Sequence, residues 1–220
     1  MKTILCFGDS NTWGYKDPGY PQDLADRFAI DERWPGRMAT ELGQKFRVIE
    51  EGLCGRTTTF EDPTWDHRSG KPYLAACLES HSPLDLVIIM LGTNDLKVRF
   101  SASAPDIARG MSVLIEIVQG SLTGINGRAP QLLVVAPAPV GDVPAYDAPI
   151  WEGAQAKADQ LAPLYEQLAK RYRCHFANVR DAIGHQDLSP DGIHLTAEAH
   201  AKIARFMASH VRSLLLTTAR

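Results

Sequence analysis

The strongest indication of the fold is the N-terminal stretch Ile4-Leu5-Cys6-Phe7-Gly8-Asp9-Ser10-Asn11-Thr12-Trp13-Gly14. Its apolar run stops at a glycine, and two small polar residues follow. This pattern is typical of a buried parallel strand that ends in a tight turn, with Ser10 at the carboxyl end of the strand. Proteins with open parallel sheets bind ligands at the carboxyl ends of the strands, so Ser10 is predicted to be a nucleophile. The alternative is a structural turn in which Asp9 and Ser10 only cap backbone N–H groups.

Length and charge restrict the class of protein. The 220 residues are most simply one domain, residues 1–220. The net charge of −3 comes without a basic run, which argues against nucleic acid as a partner. No apolar stretch reaches the roughly 20 residues that a helix needs to cross a bilayer, so no membrane partner is expected. The first apolar run is too short for a signal-peptide core, and a cytoplasmic location is therefore predicted.

The four cysteines, Cys6, Cys54, Cys77 and Cys174, share no metal-ligand spacing. Free and mainly buried thiols are expected, which fits a reducing compartment. The sequence therefore predicts neither a metal site nor a cofactor.

Five apolar segments alternate with helical patterns along the chain. The predicted strands are residues 4–7, 46–51, 84–91, 131–136 and 174–179, and residues 15–33 are expected to be irregular. This alternation indicates an α/β fold: a three-layer α/β/α, doubly wound, five-stranded parallel sheet of the flavodoxin-like type. The expected strand order, 2-1-3-4-5, opens a crevice between the first and third strands. Ser10 and Asn94 follow those two strands, so both are expected at the mouth of the crevice.

A serine hydroxyl needs a base that takes its proton, and neutral imidazole is the usual base near neutral pH. The chain has seven histidines. His194 differs from the others because Asp191 lies three residues before it in a short glycine-containing loop. This spacing lets a carboxylate orient one ring nitrogen while the other faces a substrate. His200, in the last helix, is expected to face solvent.

Four blocks of the sequence together resemble the SGNH hydrolases, also called GDSL-type esterases and lipases. Gly8-Asp9-Ser10 resembles the first block, Gly55 matches the glycine of the second, Gly92-Thr93-Asn94-Asp95 resembles the third, and Asp191-Gly192-Ile193-His194 resembles the last. The blocks span nearly the whole chain in the family's order. Asn11 replaces the leucine of the GDSL name, a position that varies in the family. Residues 50–53 and 89–95 are most similar to the small arylesterase/acyltransferase branch.

The resemblance implies a catalytic triad of Ser10, Asp191 and His194, with an oxyanion hole formed by the N–H groups of Ser10 and Gly55 and by the Asn94 side chain. Gly52 is also available for the second N–H. The expected partners are a small ester substrate and water or an alcohol as acceptor, and the branch suggests a homo-oligomer. A largely apolar approach to the site, which admits alcohols, is expected from Trp13, Leu53, Ile193 and the 137–151 loop. The predicted substrate-binding residues are Trp13, Leu53, Cys54 and Ile193.

The main interpretation is a serine esterase that acts on short-chain acyl or aryl esters and transfers acyl groups to alcohols. A carbohydrate O-acetylesterase with the same triad is an alternative within the enzyme class. A flavodoxin-like protein that binds FMN through Gly8-Asp9-Ser10-Asn11-Thr12 is an alternative from another class, and it leaves Asp191 and His194 without a role.

Overall fold

A computed structural model describes residues 1–18 and 26–216 of the chain. In chain order the elements are β1 (Lys2–Gly8), α1 (Ser10–Trp13), β2 (Tyr15–Lys16), β3 (Asp26–Arg27), α2 (Trp34–Leu42), β4 (Phe46–Gly52), α3 (Gly70–His81), β5 (Leu86–Met90), α4 (Ala104–Gly120), β6 (Gln131–Ala136), α5 (Ala154–Tyr172), β7 (His175–Asn178) and α6 (Ala197–Leu216). Five strands form one parallel sheet in the order β4-β1-β5-β6-β7. This is the predicted 2-1-3-4-5 arrangement, and the predicted fold class is confirmed.

The two faces of the sheet are covered by different helices because alternate strand residues point to opposite sides. Leu5 and Phe7 of β1 belong to the core that includes α3, α4 and α5. Ile4 and Cys6 belong to the core that includes α2 and α6. The central strands are buried on both faces, which explains why they read as continuous apolar runs.

Side-chain caps mark the starts of α4 and α6. Ser103 caps α4 through a capping box in which its hydroxyl and the Asp106 carboxylate satisfy each other's backbone N–H groups. Thr196 accepts the N–H of Ala199 at the start of α6. Helix α3 begins at Gly70, directly after Ser69.

The segment after α1 differs from its prediction. Residues 15–33 were expected to be irregular, but Tyr15–Lys16 pairs with Asp26–Arg27 in a two-stranded antiparallel sheet. A two-residue strand is too short to produce a readable alternation of side chains. Residues 19–25 of that predicted segment lie outside the described residues.

The prediction that His200 faces solvent is wrong. Its side chain is fully buried, and Nδ1 accepts the N–H of Trp34 at 3.2 Å. Burial is the main cause that lowers the pKa of His200 to about 3, and the charges of Arg33 and Arg37 act in the same direction. His200 lies three residues before the buried Ile203, so it falls on the apolar stripe of α6.

The structure also bears on the predictions about membrane-spanning helices and about the four cysteines. Within the two described ranges, no helix is long and apolar enough to cross a membrane. All four cysteines are free thiols, as predicted. Cys6 and Cys77 are buried, whereas Cys54 and Cys174 are half-buried.

Candidate active site

The predicted nucleophile lies at the carboxyl end of β1, between β4 and β5 in the sheet. β1 ends at Gly8, and Ser10 is the first residue of α1, where its own N–H has no intrahelical partner. Asp9 caps this one-turn helix by accepting the N–H of Asn11 at 2.9 Å. The turn therefore holds Ser10 at the sheet edge, where it is 6% exposed.

A second turn carries Asp191 and His194. One carboxylate oxygen of Asp191 accepts the N–H groups of Ile193 and His194, each at 2.9 Å. The other oxygen lies 2.5 Å from His194 Nδ1. The three-residue spacing thus closes a loop that leaves the imidazole with one nitrogen on the carboxylate and one nitrogen facing outward.

The outward nitrogen faces the serine. His194 Nε2 lies 2.9 Å from Ser10 Oγ, across 184 positions of sequence. An ionised carboxylate only accepts hydrogen bonds, so Nδ1 carries the proton and Nε2 is left to accept the hydroxyl hydrogen. Burial raises the pKa of Asp191, but the hydrogen bonds and charge of His194 outweigh it, and the pKa is lowered overall. The carboxylate therefore stays ionised beside the imidazole.

A buried carboxyl group and a buried guanidinium support the nucleophile turn. Burial raises the pKa of Asp9 to about 6, against the N–H of Asn11 and the charges of His194 and Arg56, which lower it. Arg56 donates to the carbonyl of Gly8 at 2.9 Å and to the carbonyl of Glu51. Its side chain therefore ties the end of β1 to the end of β4.

The three predicted oxyanion-hole donors each have a hydrogen without an acceptor in the described part of the chain. Among the described residues, the N–H groups of Ser10 and Gly55 have no hydrogen-bond acceptor. Asn94 follows β5 and is 5% exposed, and its amide nitrogen donates to the carbonyl of Arg56 at 3.1 Å. That nitrogen carries two hydrogens, so one remains for another acceptor.

The two candidate glycines have different surroundings. Gly55 has φ +79°, a left-handed conformation that favours glycine, and its N–H lacks an acceptor in the described part of the chain. Gly52 ends β4, where an added Cβ would lie 2.2 Å from the backbone nitrogen of Trp13. Gly52 therefore lets α1 pack against β4, which is a structural reason for glycine at that position.

The predicted substrate-binding residues do not all face one space. A cavity of about 360 Å³ beside Asp191 and His194 is lined by Ile193. Leu53 instead lines a separate cavity of about 490 Å³ with Glu51 and Tyr73. Trp13 and Cys54 line neither, and the Trp13 ring packs under the guanidinium of Arg27, 4.7 Å from its centroid. As contacts of a substrate, these residues stay predictions.

The expectation of a largely apolar approach is wrong for the cavity beside His194. Its wall combines aromatic rings with charged side chains, among them Tyr15, Asp17, Lys97, Arg99, Tyr146, Asp147 and Trp151. Burial, and next the charge of Arg99, lower the pKa of Lys97, whose Nζ lies 5.3 Å from the centroid of the Trp151 ring. The 137–151 loop does contribute to this wall, as predicted, but through charged as well as aromatic residues.

Sequence reasoning missed two residues that hold His194 in place. The ring of Tyr15 stacks on the imidazole, with 4.1 Å between centroids. The Asn11 side chain donates to the carbonyl of Ile193 at 3.3 Å and accepts the N–H of Leu195 at 3.2 Å. The asparagine itself was visible in the sequence, but its partners lie more than 180 positions away.

Comparison with known proteins agrees with this geometry. The GDSL-like lipase/acylhydrolase family matches residues 6–202. The chain belongs to this family. Among solved structures, the aryl esterase of M. smegmatis is 44% identical, with 98% of this chain and 100% of that chain covered and a TM-score of 0.92. A carbohydrate acetylesterase from Sinorhizobium meliloti is 39% identical over 98% of this chain and 100% of that chain, with a TM-score of 0.92. No curated protein matches the chain significantly.

Family membership confirms the predicted resemblance to the SGNH hydrolases and the predicted class, a carboxylic ester hydrolase of the serine esterase type. It favours this class over the flavin-binding alternative.

Proposed function

We propose that this GDSL-family esterase hydrolyses short-chain acyl or aryl esters through an acyl intermediate on Ser10. The observation that carries the proposal is the continuous hydrogen-bonded line from Ser10 Oγ to His194 Nε2 and from His194 Nδ1 to Asp191. This arrangement has the geometry of a nucleophile, a base and an orienting carboxylate.

Acylation follows from the protonation states in that line. Ser10 Oγ attacks the ester carbonyl carbon while its proton passes to His194 Nε2. The resulting imidazolium is stabilised by the ionised Asp191 and then gives its proton to the departing alcohol or phenol oxygen. The acyl group remains on Ser10 as an ester. Water, activated by the same imidazole, attacks that ester in the second step and releases the acid.

The negative charge of the tetrahedral intermediate needs donors that are not already paired. The N–H groups of Ser10 and Gly55 and the second amide hydrogen of Asn94 fulfil this condition, so we assign the oxyanion hole to these three residues. Gly55 is preferred to Gly52 because Gly52 is packed against α1.

An alcohol that reaches the acyl intermediate before water takes the acyl group instead. We propose that small alcohols compete with water in this way, although the charged wall of the cavity favours water more than an apolar wall would. Vinyl acetate and benzyl alcohol in buffer test this part of the proposal. Benzyl acetate is expected as a minor product beside acetic acid, and its complete absence would identify a plain hydrolase.

A carbohydrate O-acetylesterase is the second candidate, and the wall of the same cavity supports it. Rings such as Tyr146 and Trp151 offer flat faces for a sugar ring, and Asp17, Lys97 and Asp147 offer groups that hydrogen-bond hydroxyls. The similarity to the Sinorhizobium meliloti carbohydrate acetylesterase points the same way. Lys97→Met is expected to lower kcat/KM for an acetylated sugar more than for an aryl acetate if the sugar is the better substrate.

One experiment tests the proposed chemistry and ranks the substrates. The purified protein is assayed with p-nitrophenyl esters of rising chain length and with an acetylated sugar, beside Ser10→Ala and Asn94→Ala. Ser10→Ala is expected to abolish turnover of every ester, and Asn94→Ala to lower kcat by about 10²–10³-fold with a small change in KM. A serine-directed phosphonate should label Ser10 alone. Label on another serine, or full activity of Ser10→Ala, would refute the mechanism.

We also propose that the enzyme acts as a homo-oligomer in the cytoplasm. The resemblance to the small arylesterase/acyltransferase branch suggests association between copies, and the four free cysteines suit a reducing compartment. Analytical ultracentrifugation of the purified chain is expected to give a mass that is a multiple of 24.2 kDa. A single species at the monomer mass would exclude the oligomer.

A further inference from the structure

Three side chains with metal-binding donors meet outside the triad. Cys77 and His81 are four residues apart on α3, and therefore lie on one face of that helix. Glu51, near the end of β4, faces them across the helix–sheet contact. The thiol, one imidazole nitrogen and one carboxylate oxygen all lie within 4.8 Å of one another.

The donor set has a clear chemical preference. Thiolate, imidazole and carboxylate are the three donor types that bind Zn²⁺, usually in a tetrahedral arrangement. Bonds of roughly 2.0–2.3 Å place tetrahedral donors roughly 3.4–3.8 Å apart, so the three atoms need only small side-chain movements to share one ion. We propose that Glu51, Cys77 and His81 bind one Zn²⁺ ion, with water in the fourth position.

The surrounding contacts hold the donors in place. Glu51 Oε1 lies 2.8 Å from His81 Nε2, and the Tyr73 hydroxyl donates to Glu51 Oε2 at 3.1 Å. Cys77 is buried, whereas the side chains of His81 and Glu51 are 25% and 19% exposed. The cluster is thus anchored in the core and open to solvent on one side, which provides an entry path and room for a water ligand.

Charges around the cluster set its behaviour with pH. Burial, and next the carboxylate of Glu51, raise the pKa of the Cys77 thiol to about 12, while Arg56 and the Tyr73 hydroxyl act in the opposite direction. Zinc binds a thiolate, so binding displaces the thiol proton: the S–H bond breaks, the sulfur–zinc bond forms, and H⁺ goes to solvent. Binding is expected to tighten as pH rises. Arg56 opposes a cation here, and the negative charges of Glu51 and the new thiolate offset it.

The test uses the full-length, metal-free protein titrated with Zn²⁺ against a chromogenic chelator. One tightly bound Zn²⁺ per chain and release of protons are expected. Cys77→Ser, His81→Gln and Glu51→Gln should each weaken binding by at least about 10-fold, in line with loss of a ligand. His81→Gln is the safer variant for folding because its side chain reaches solvent. Cys174→Ser and His210→Gln, which change the same residue types elsewhere, should bind like the unmodified protein.

Cobalt provides a direct view of the sulfur ligand. Co²⁺ at the site is expected to show a thiolate-to-metal charge-transfer band that Cys77→Ser loses and Cys174→Ser keeps. Ser10→Ala should bind zinc normally, so failure of the esterase mechanism and failure of the zinc site are separate results. Zinc affinity that is equal in the unmodified protein, Cys77→Ser and His81→Gln would refute the site.

Discussion

The phenol ring of Tyr15 lies against the imidazole of His194, with 4.1 Å between the ring centroids and 29° between the ring planes. Tyr15 belongs to the short hairpin that follows the nucleophile helix, so one continuous segment supplies both the serine and the support for its base. The imidazole is therefore held between a carboxylate, a hydroxyl and an aromatic face.

Removing this aromatic face should loosen the base. Tyr15→Leu is expected to lower kcat by about 3- to 10-fold, since an aromatic pair contributes roughly 0.5–1.5 kcal/mol beyond its buried area. Tyr15→Phe keeps the ring and should restore kcat. Steady-state kinetics with p-nitrophenyl acetate measure both. If Tyr15→Phe is as slow as Tyr15→Leu, the hydroxyl and not the stacking is what matters.

The Asn11 side chain fastens the peptide groups on both sides of His194 to the nucleophile turn. Asn11→Leu has a similar volume but leaves a buried carbonyl and a buried N–H unpaired, so the free energy of unfolding should fall by about 2–4 kcal/mol. We expect kcat to fall as well, because the base is no longer fixed relative to Ser10. Urea unfolding and steady-state kinetics provide the two measurements.

A matched control separates this role from general loss of hydrogen bonding. Gln119 donates to the carbonyl of Tyr172 at 2.7 Å on an exposed surface. Gln119→Leu should change neither kcat nor stability by much. An Asn11→Leu protein with normal kcat would show that the 193–195 loop is held by other contacts.

Asp191→Asn tests how the base is oriented. The asparagine oxygen still accepts the N–H groups of Ile193 and His194, so the turn should remain folded. The amide that replaces the second oxygen donates to Nδ1, which moves the imidazole proton to Nε2 and removes the base. We expect kcat to fall about 10⁴-fold. Circular dichroism checks the fold, and a loss below 10-fold would mean that another group fixes the tautomer.

His200 should make the protein less stable in acid. In the unfolded chain its pKa lies near 6.5, whereas burial lowers the pKa to about 3 in the folded chain. The unfolded state therefore binds the extra proton first, and stability is lost as pH falls from about 6.5 towards 3. Between pH 6.5 and pH 5 the loss from this residue is about 2 kcal/mol.

The measurement is the free energy of unfolding in urea at several pH values. His200→Asn keeps an acceptor for the Trp34 N–H but takes up no proton, so its stability should fall less steeply below pH 6.5 than that of the unmodified protein. Burial raises the pKa of Asp9 and of Asp95 to about 6, and these groups add stability as pH falls. Both proteins contain them, so they cancel in the comparison. If the free energy of unfolding of the two proteins depends equally on pH, folding does not lower the pKa of His200.

Short-range patterns predicted the sheet and part of the site. Buried parallel strands are continuous apolar runs, which made them easy to locate in the sequence. The structure confirmed their predicted order. Asp191 and His194 were paired correctly because both lie in one tight turn, where spacing alone limits the geometry. The error at His200 came from its polar side chain, although its spacing from Ile203 placed it on the buried stripe of α6.

Residues close together in the chain were enough to indicate which chemical groups follow β1 and β5 and which carboxylate pairs with His194. The contacts between distant segments could be identified only in the folded protein. These are the Ser10–His194 hydrogen bond, the Asn11 and Tyr15 supports, the charged wall around Lys97 and the meeting of Glu51 with Cys77 and His81. Side chains from separate strands and helices come into contact only after the whole sheet has packed, and local sequence periodicity carries no information about such contacts.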